Sequence, residues 1–158
     1  RTGYGIIEVS GGSRLGVIDC GVIKNPPSIP HSECLRRLAG GMRELINSYH
    51  PEAASIESVF VNKNIKTAMI LSLARGAVIA TLAENGIPVY EYSPKTAKRS
   101  AVGSGDASKE QVAALMSAIL GIDVVRTYND STDALALALC HANIAAKPEL
   151  ASIMPKTI

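Results

Sequence analysis

The stretch Ala53-Ala-Ser-Ile-Glu-Ser-Val-Phe-Val61, followed by the apolar helical segment Ile65 to Glu84 and by Ile87 to Tyr92, decides the fold. The first run is short and rich in small and β-branched residues, as a buried parallel strand is. In the second, apolar residues occupy most of the helical circumference, so that helix is covered on more than one side. Asn85-Gly86 stops it and Ile87 to Tyr92 is the next strand. Strand, helix, strand implies a right-handed crossover and a parallel pair.

Working outward, Tyr4 to Val9 and Leu15 to Ile23 flank a Ser10-Gly11-Gly12-Ser13 turn, which predicts a hairpin. Pro26, Pro27 and Pro30 close off that strand, and Ser32 stands where a helix N-cap would. Leu35, Leu38, Met42, Leu45, Ile46 and Tyr49 then recur at helical spacing with Arg36, Arg37, Arg43 and Glu44 on the other face, until His50-Pro51. Beyond Tyr92, Pro94 opens a basic stretch with Lys95, Lys98 and Arg99, Gly103-Ser104-Gly105 is a connector, and Ser108-Lys-Glu-Gln111 has the form of a capping box for a helix to about Leu120. A last helix runs from about Asp130 to Ala146. The order predicts an α/β domain over residues 1–146, with strands of mixed direction flanked by helices and a marginal tail at 147–158.

The chain has 158 residues, 47% of them hydrophobic and 19% charged, with a mean hydropathy of +0.18, which is the composition of one globular domain. A net charge of +2 excludes a protein that holds a polyanion by bulk charge, so any nucleic-acid role rests on local patches. Cys20, Cys34 and Cys140 lack metal-finger spacing and are odd in number, which points to a reducing compartment, the cytosol by default. The run Ala68 to Ala83 is interrupted by Arg75 and is short for a bilayer span, and no signal segment opens the chain, so no membrane role is expected.

Glu57 inside an apolar strand is the first candidate for chemistry, because burying an unpaired carboxylate costs several kcal/mol; a strand-end glutamate turned to solvent or paired with a lysine is the other reading. Asp130 and Asp133 share one face of a helix's first turn. They are either a capping device, with Asp130 or Ser131 as N-cap, or oxygen ligands for a divalent ion such as Mg²⁺. If Glu57 converges with them, the three acids fit metal-assisted phosphodiester chemistry. His141 lies on roughly the same face, and Cys34 and Cys140 read as core fillers. Phe60 could stack on a base or pack in the core, and Lys63, Lys98, Arg99 and Lys109 lie where phosphate contacts form or where a helix simply faces water.

Arg1-Thr-Gly-Tyr-Gly5, Ile56-Glu-Ser-Val-Phe-Val-Asn-Lys-Asn64, Ala74-Arg-Gly-Ala77, Val89-Tyr-Glu-Tyr92, Val102-Gly-Ser-Gly105 and Asp130-Ser-Thr-Asp-Ala-Leu-Ala136, in this order, resemble the RuvC Holliday junction resolvases over roughly residues 1–145. The resemblance implies a ribonuclease H-like fold and a homodimer formed through the helix at 65–84. It implies symmetric cutting of four-way DNA junctions with Mg²⁺ or Mn²⁺, two ions per site, and the possible company of a branch-migration helicase. By position, Glu57, Asp130 and Asp133 match metal-binding acids, Phe60 matches the aromatic placed at the junction, and Lys98 and Lys109 match residues that contact DNA. The family also carries an Ile-Asp-Pro-Gly central strand ahead of Thr-Gly-Tyr-Gly, whose aspartate is a further ligand. Here Leu15-Gly-Val-Ile-Asp-Cys-Gly21 mimics that motif but follows Thr2 to Gly5, so Asp19 reads as an ordinary strand residue. The expectation is therefore a fragment of a longer chain, lacking the first central strand and impaired in catalysis. The rival expectations are a junction-binding module without catalysis and a monomeric ribonuclease H-like nuclease on another substrate.

Overall fold

The computed structural model describes residues 1–11, 14–58, 64–102, 114, 117–118, 129–146 and 154–158. The described elements are, in order, β1 (Thr2–Ser10), β2 (Arg14–Ile23), α1 (His31–Tyr49), β3 (Ala54–Glu57), α2 (Ile65–Glu84), β4 (Val89–Tyr92), α3 (Pro94–Val102) and α4 (Asn129–Ala145). The helix expected from Ser108 falls mostly outside these residues, as does the Gly103 connector.

The hairpin is antiparallel, with Thr2 opposite Ile23 and Ser10 opposite Arg14, and its register slips between Ile6 and Ile7. The crossover pair is parallel, with Ala54 beside Val89 and Glu57 beside Tyr92. Instead of one mixed sheet, the described strands make two separate pairs, β1–β2 and β3–β4. What joins them is α4, which packs on β1, β2 and β3 together.

Two apolar clusters lie on the two faces of the β3–β4 pair. Ile46 of α1, Leu82 of α2, Ile87 and Val89 form the first, with Met42, Ala54, Ile56, Val78 and Ile79 against it. Tyr92, Cys140 and Ile144 form the second, with Tyr90, Leu137 and Met154. Strand alternation explains the split: Ala54, Ile56 and Val89 turn to α1 and α2, while Tyr90 and Tyr92 turn to α4. Residues 154–158, expected as a marginal tail, dock on the edge of β4. Thr157 bridges Tyr90 and the Ile158 N–H donates to the Val89 carbonyl at 3.1 Å.

The helix ends show where local signals yield. α1 begins at His31 after Pro30, with no side-chain cap, and the Cys34 N–H donates to the Pro30 carbonyl at 3.0 Å. Ser32 therefore sits inside the first turn instead of capping it, and Pro30, with φ −58° and ψ 151°, is the N-cap residue. α2 is capped by Asn64, whose Oδ1 accepts from the Thr67 N–H at 3.1 Å. By length and composition α2 would suffice to cross a bilayer. Its second half nevertheless packs into the core and its arginine bonds a strand of the domain.

Candidate active site

The acidic residues gather around the head of α4, and the start of β1 determines how that helix is seated. A Cβ placed on Gly3 would overlap the backbone carbonyl of Asp130 and lie 2.9 Å from the Asp130 Cβ, and one placed on Gly5 would lie 2.7 Å from Leu135 Cγ and Cδ2. Only glycine lets the strand and the helix approach so closely. The Thr-Gly-Tyr-Gly segment is thus a bed for the acidic turn. Nothing in a single-chain pattern marked it as such, since glycine in a strand reads equally as a bulge or a turn.

Helix α4 starts at Asn129, so Asp130 and Ser131 lie within its first turn and neither is the N-cap the sequence suggested. Ser131 and Thr132 are buried, Asp130 is half-buried and Asp133 is exposed. Arg1 Nε stands 2.7 Å from Asp130 Oδ2 as an ion pair. The approach is off the line of a hydrogen bond, and that oxygen is buried without a hydrogen-bond partner. Glu57 is the last residue of β3 and is exposed, which favours the strand-end reading over that of a carboxylate buried in mid-strand. Next to it the Ser58 N–H donates to the Tyr92 carbonyl at 2.9 Å. Glu57 stands in register with Tyr92, on the face that α4 covers.

Among the described residues, no group of three or more His, Cys, Asp and Glu could hold a metal ion. Glu57, Asp130 and Asp133 are oxygen donors on neighbouring elements, of the kind Mg²⁺ or Mn²⁺ takes. The Arg1 guanidinium is the cation that Asp130 has.

Of the basic candidates, Lys98 and Arg99 lie on α3, which packs against α4. Its start is fixed by Ser93 Oγ, which accepts from the Thr96 N–H at 3.0 Å. Phe60, Lys63 and Lys109 lie outside the described residues. His141 does not reach the acids. Its Nδ1 is 2.8 Å from the Tyr92 hydroxyl and its ring centroid is 4.4 Å from that of Tyr90. Burial holds this imidazole below its ordinary value and pushes the Tyr92 phenol up to about 12. Cys140 is fully buried, as a core filler is, and burial raises its thiol. Asp19, the lookalike acid, is a brace: its Oδ2 accepts from the Tyr4 hydroxyl at 3.1 Å and the Tyr49 hydroxyl at 2.9 Å, tying the hairpin to α1. Burial and this carboxylate push the Tyr4 phenol up to about 12.

An acidic helix head laid across a hairpin and a parallel strand pair, with helices on both faces, is the arrangement of the ribonuclease H-like α/β domains. Comparison with known proteins narrows the class. The sequence pattern of the family "Crossover junction endodeoxyribonuclease RuvC" matches residues 1–141. The RuvC protein of Pelotomaculum thermopropionicum is 40% identical over 142 residues, covering 90% of this chain and 86% of that protein. That of Roseiflexus sp. is 40% identical over 141 residues, covering 89% and 83%. Among solved structures, Thermus thermophilus RuvC in complex with a Holliday junction substrate superposes with a TM-score of 0.88 at 31% identity, covering 99% of this chain and 92% of that one. The chain belongs to the RuvC family of crossover junction endodeoxyribonucleases.

Proposed function

We propose that this protein recognises four-way DNA junctions as a homodimer and serves the endonuclease activity of its family, hydrolysing phosphodiesters symmetrically in recombination and repair. The observation that carries this reading is the seating of α4 on Gly3 and Gly5, which fixes Asp130 and Asp133 beside the strand that ends in Glu57. In the proposed site these three acids accept and orient; none attacks phosphorus. Lys63, Lys98, Arg99 and Lys109 meet phosphates, and Phe60 stacks on a base at the junction, a contact worth about 1–3 kcal/mol.

Mg²⁺ or Mn²⁺, two ions per site, is the cofactor the family resemblance implies. The donor types fit, and Asp130 has a buried oxygen without a hydrogen bond. The Arg1 guanidinium that pairs with Asp130 favours a second reading, in which the chain binds junctions without cutting them.

The partner for α2 is a second copy, because Ile65, Met69, Leu71 and Leu73 are more than half exposed on one helix, a surface that folded chains seldom leave uncovered. A branch-migration helicase is the further partner the resemblance implies. All three cysteines are free, in keeping with a cytoplasmic site.

The test is cleavage of a synthetic four-way junction and of a linear duplex, with and without Mg²⁺. Metal-dependent, symmetric nicking of the junction and not of the duplex is expected, whereas tight junction binding without cutting supports the second reading. Glu57→Gln is expected to reduce cutting by at least about 100-fold and to leave junction affinity unchanged. Indifference to the junction refutes the proposal.

A further inference from the structure

Arg75 interrupts an otherwise apolar helix, and the activity described so far does not use it. Its Nη2 bonds the Glu91 carboxylate of β4. The two side chains are only 25% and 36% exposed. At 3.6 residues per turn, Arg75 shares a stripe of α2 with Val78, Ile79 and Leu82, and those three pack against Ile46, Ile87 and Val89. Roughly 120° round the helix, Ile65, Met69 and Leu73 recur at every fourth position, and their exposures are 69%, 63% and 54%. Gly76 and Ala80 continue that stripe. Ile70 and Leu71 are also exposed, on other sides.

The first half of α2 thus carries bulky apolar side chains all round, so apolar burial does not choose which of them turns towards the sheet. A directional contact does. Arg75 Nε is itself buried without a hydrogen-bond partner, and the desolvation of a half-buried pair with an orphaned donor offsets most of its attraction. What such a pair contributes is orientation, as a single polar residue in an apolar helix seam sets register.

The geometry points to Arg75 and Glu91 as the specificity pair that sets the rotation of α2 about its own axis, presenting the Ile65, Met69 and Leu73 stripe to a second copy of this chain. The inference rests on the homodimer reading above. The occupant follows from the ends of the helix: Lys66 lies near its start and Glu84 at its finish, both exposed and both on the side away from Arg75. Two copies crossing antiparallel bring Lys66 of each beside Glu84 of the other, although Glu84 also meets Arg43 at 3.6 Å within the chain. Gly76 and Ala80 give the helices room to approach.

Sedimentation equilibrium with parallel thermal melts tests the pair. Arg75→Met/Glu91→Leu is expected to keep the parent's melting temperature or exceed it, yet to raise the dimer dissociation constant by about tenfold or more. The reversed pair, Arg75→Glu/Glu91→Arg, is expected to bring that constant back to within about threefold of the parent's. A double variant that dimerises like the parent overturns the inference while leaving the homodimer reading intact. So does a double variant that fails to fold, or a reversed pair that melts normally but stays monomeric. A parent chain that is monomeric at roughly 100 µM removes the homodimer reading and the inference with it.

Discussion

Replacing Gly3 by alanine puts a methyl group where the first turn of α4 already sits. The added Cβ would overlap the Asp130 carbonyl and lie 2.9 Å from the Asp130 Cβ, whereas carbon atoms rest about 3.5–4.0 Å apart. At Gly5 the nearest atoms, Leu135 Cγ and Cδ2, are 2.7 Å away, a shortfall of about 1 Å. Backbone is the obstacle at Gly3, so no rotamer change relieves it and the helix head has to withdraw by roughly 1 Å. Overpacking of this kind costs about 2 kcal/mol, which lowers the melting temperature of a chain this size by roughly 4–8 °C. The functional effect is larger, because a misplacement of about 1 Å in a reacting group costs around 100-fold in rate. Thermal melts and single-turnover junction cleavage, compared for Gly3→Ala, Gly5→Ala and Gly16→Ala, provide the assay. Gly16 has nothing within 4 Å of its would-be Cβ and serves as the neutral control. Gly3→Ala and Gly16→Ala variants that melt and cut alike would refute the close-approach argument.

Asp19→Asn weakens a charged acceptor that holds two phenols, and a loss of about 1–2 kcal/mol in urea unfolding is expected, without any change in metal dependence; a change there would refute its reading as an ordinary strand residue. Because the Tyr4 phenol is raised from 10.0 to about 12 by burial and by Asp19, its contribution is complete below pH 10 and is lost as pH climbs towards 12, so alkaline unfolding should begin earlier in Asp19→Asn. His141 behaves in the opposite sense. Burial lowers its folded value beneath the ordinary 6.5, so the unfolded chain binds the proton first and stability falls as pH drops below about 6.5. His141→Asn, which cannot take up that proton, should flatten the dependence of melting temperature on pH between about 7.5 and 5.5; an unchanged slope would place the titration elsewhere.

Much of the fold was legible because the deciding signals are local. The β-branched runs flanking Ser10 to Ser13, helical spacing at Leu35 to Tyr49 and the Asn85-Gly86 stop on α2 act over a few residues, and they placed β1, β2, α1, α2, β4 and α4 to within about two residues, whereas α3 read only as a basic stretch after Pro94. The start of α1 was misread at Ser32 because the helix begins upstream of that residue, at His31, with Pro30 as an N-cap that has no capping side chain to mark it. The acids were legible as residue types, and the family followed from their order along the chain. Their arrangement was not. Glu57 read either as a carboxylate buried in mid-strand or as a strand-end glutamate turned to solvent, and the choice depends on pairing with β4, whose residues lie far along the chain.

What the sequence determined by itself is most of the elements, the chemistry available to them and membership of a nuclease family, since these depend on composition, periodicity and motif order. Only the tertiary structure decided that the hairpin and the parallel pair are joined through α4, that Gly3 and Gly5 seat the acidic turn, that Asp19 braces two tyrosines, and that Arg75 finds Glu91. Each of these is a contact between residues distant in sequence, and such contacts are fixed by packing that no local pattern encodes.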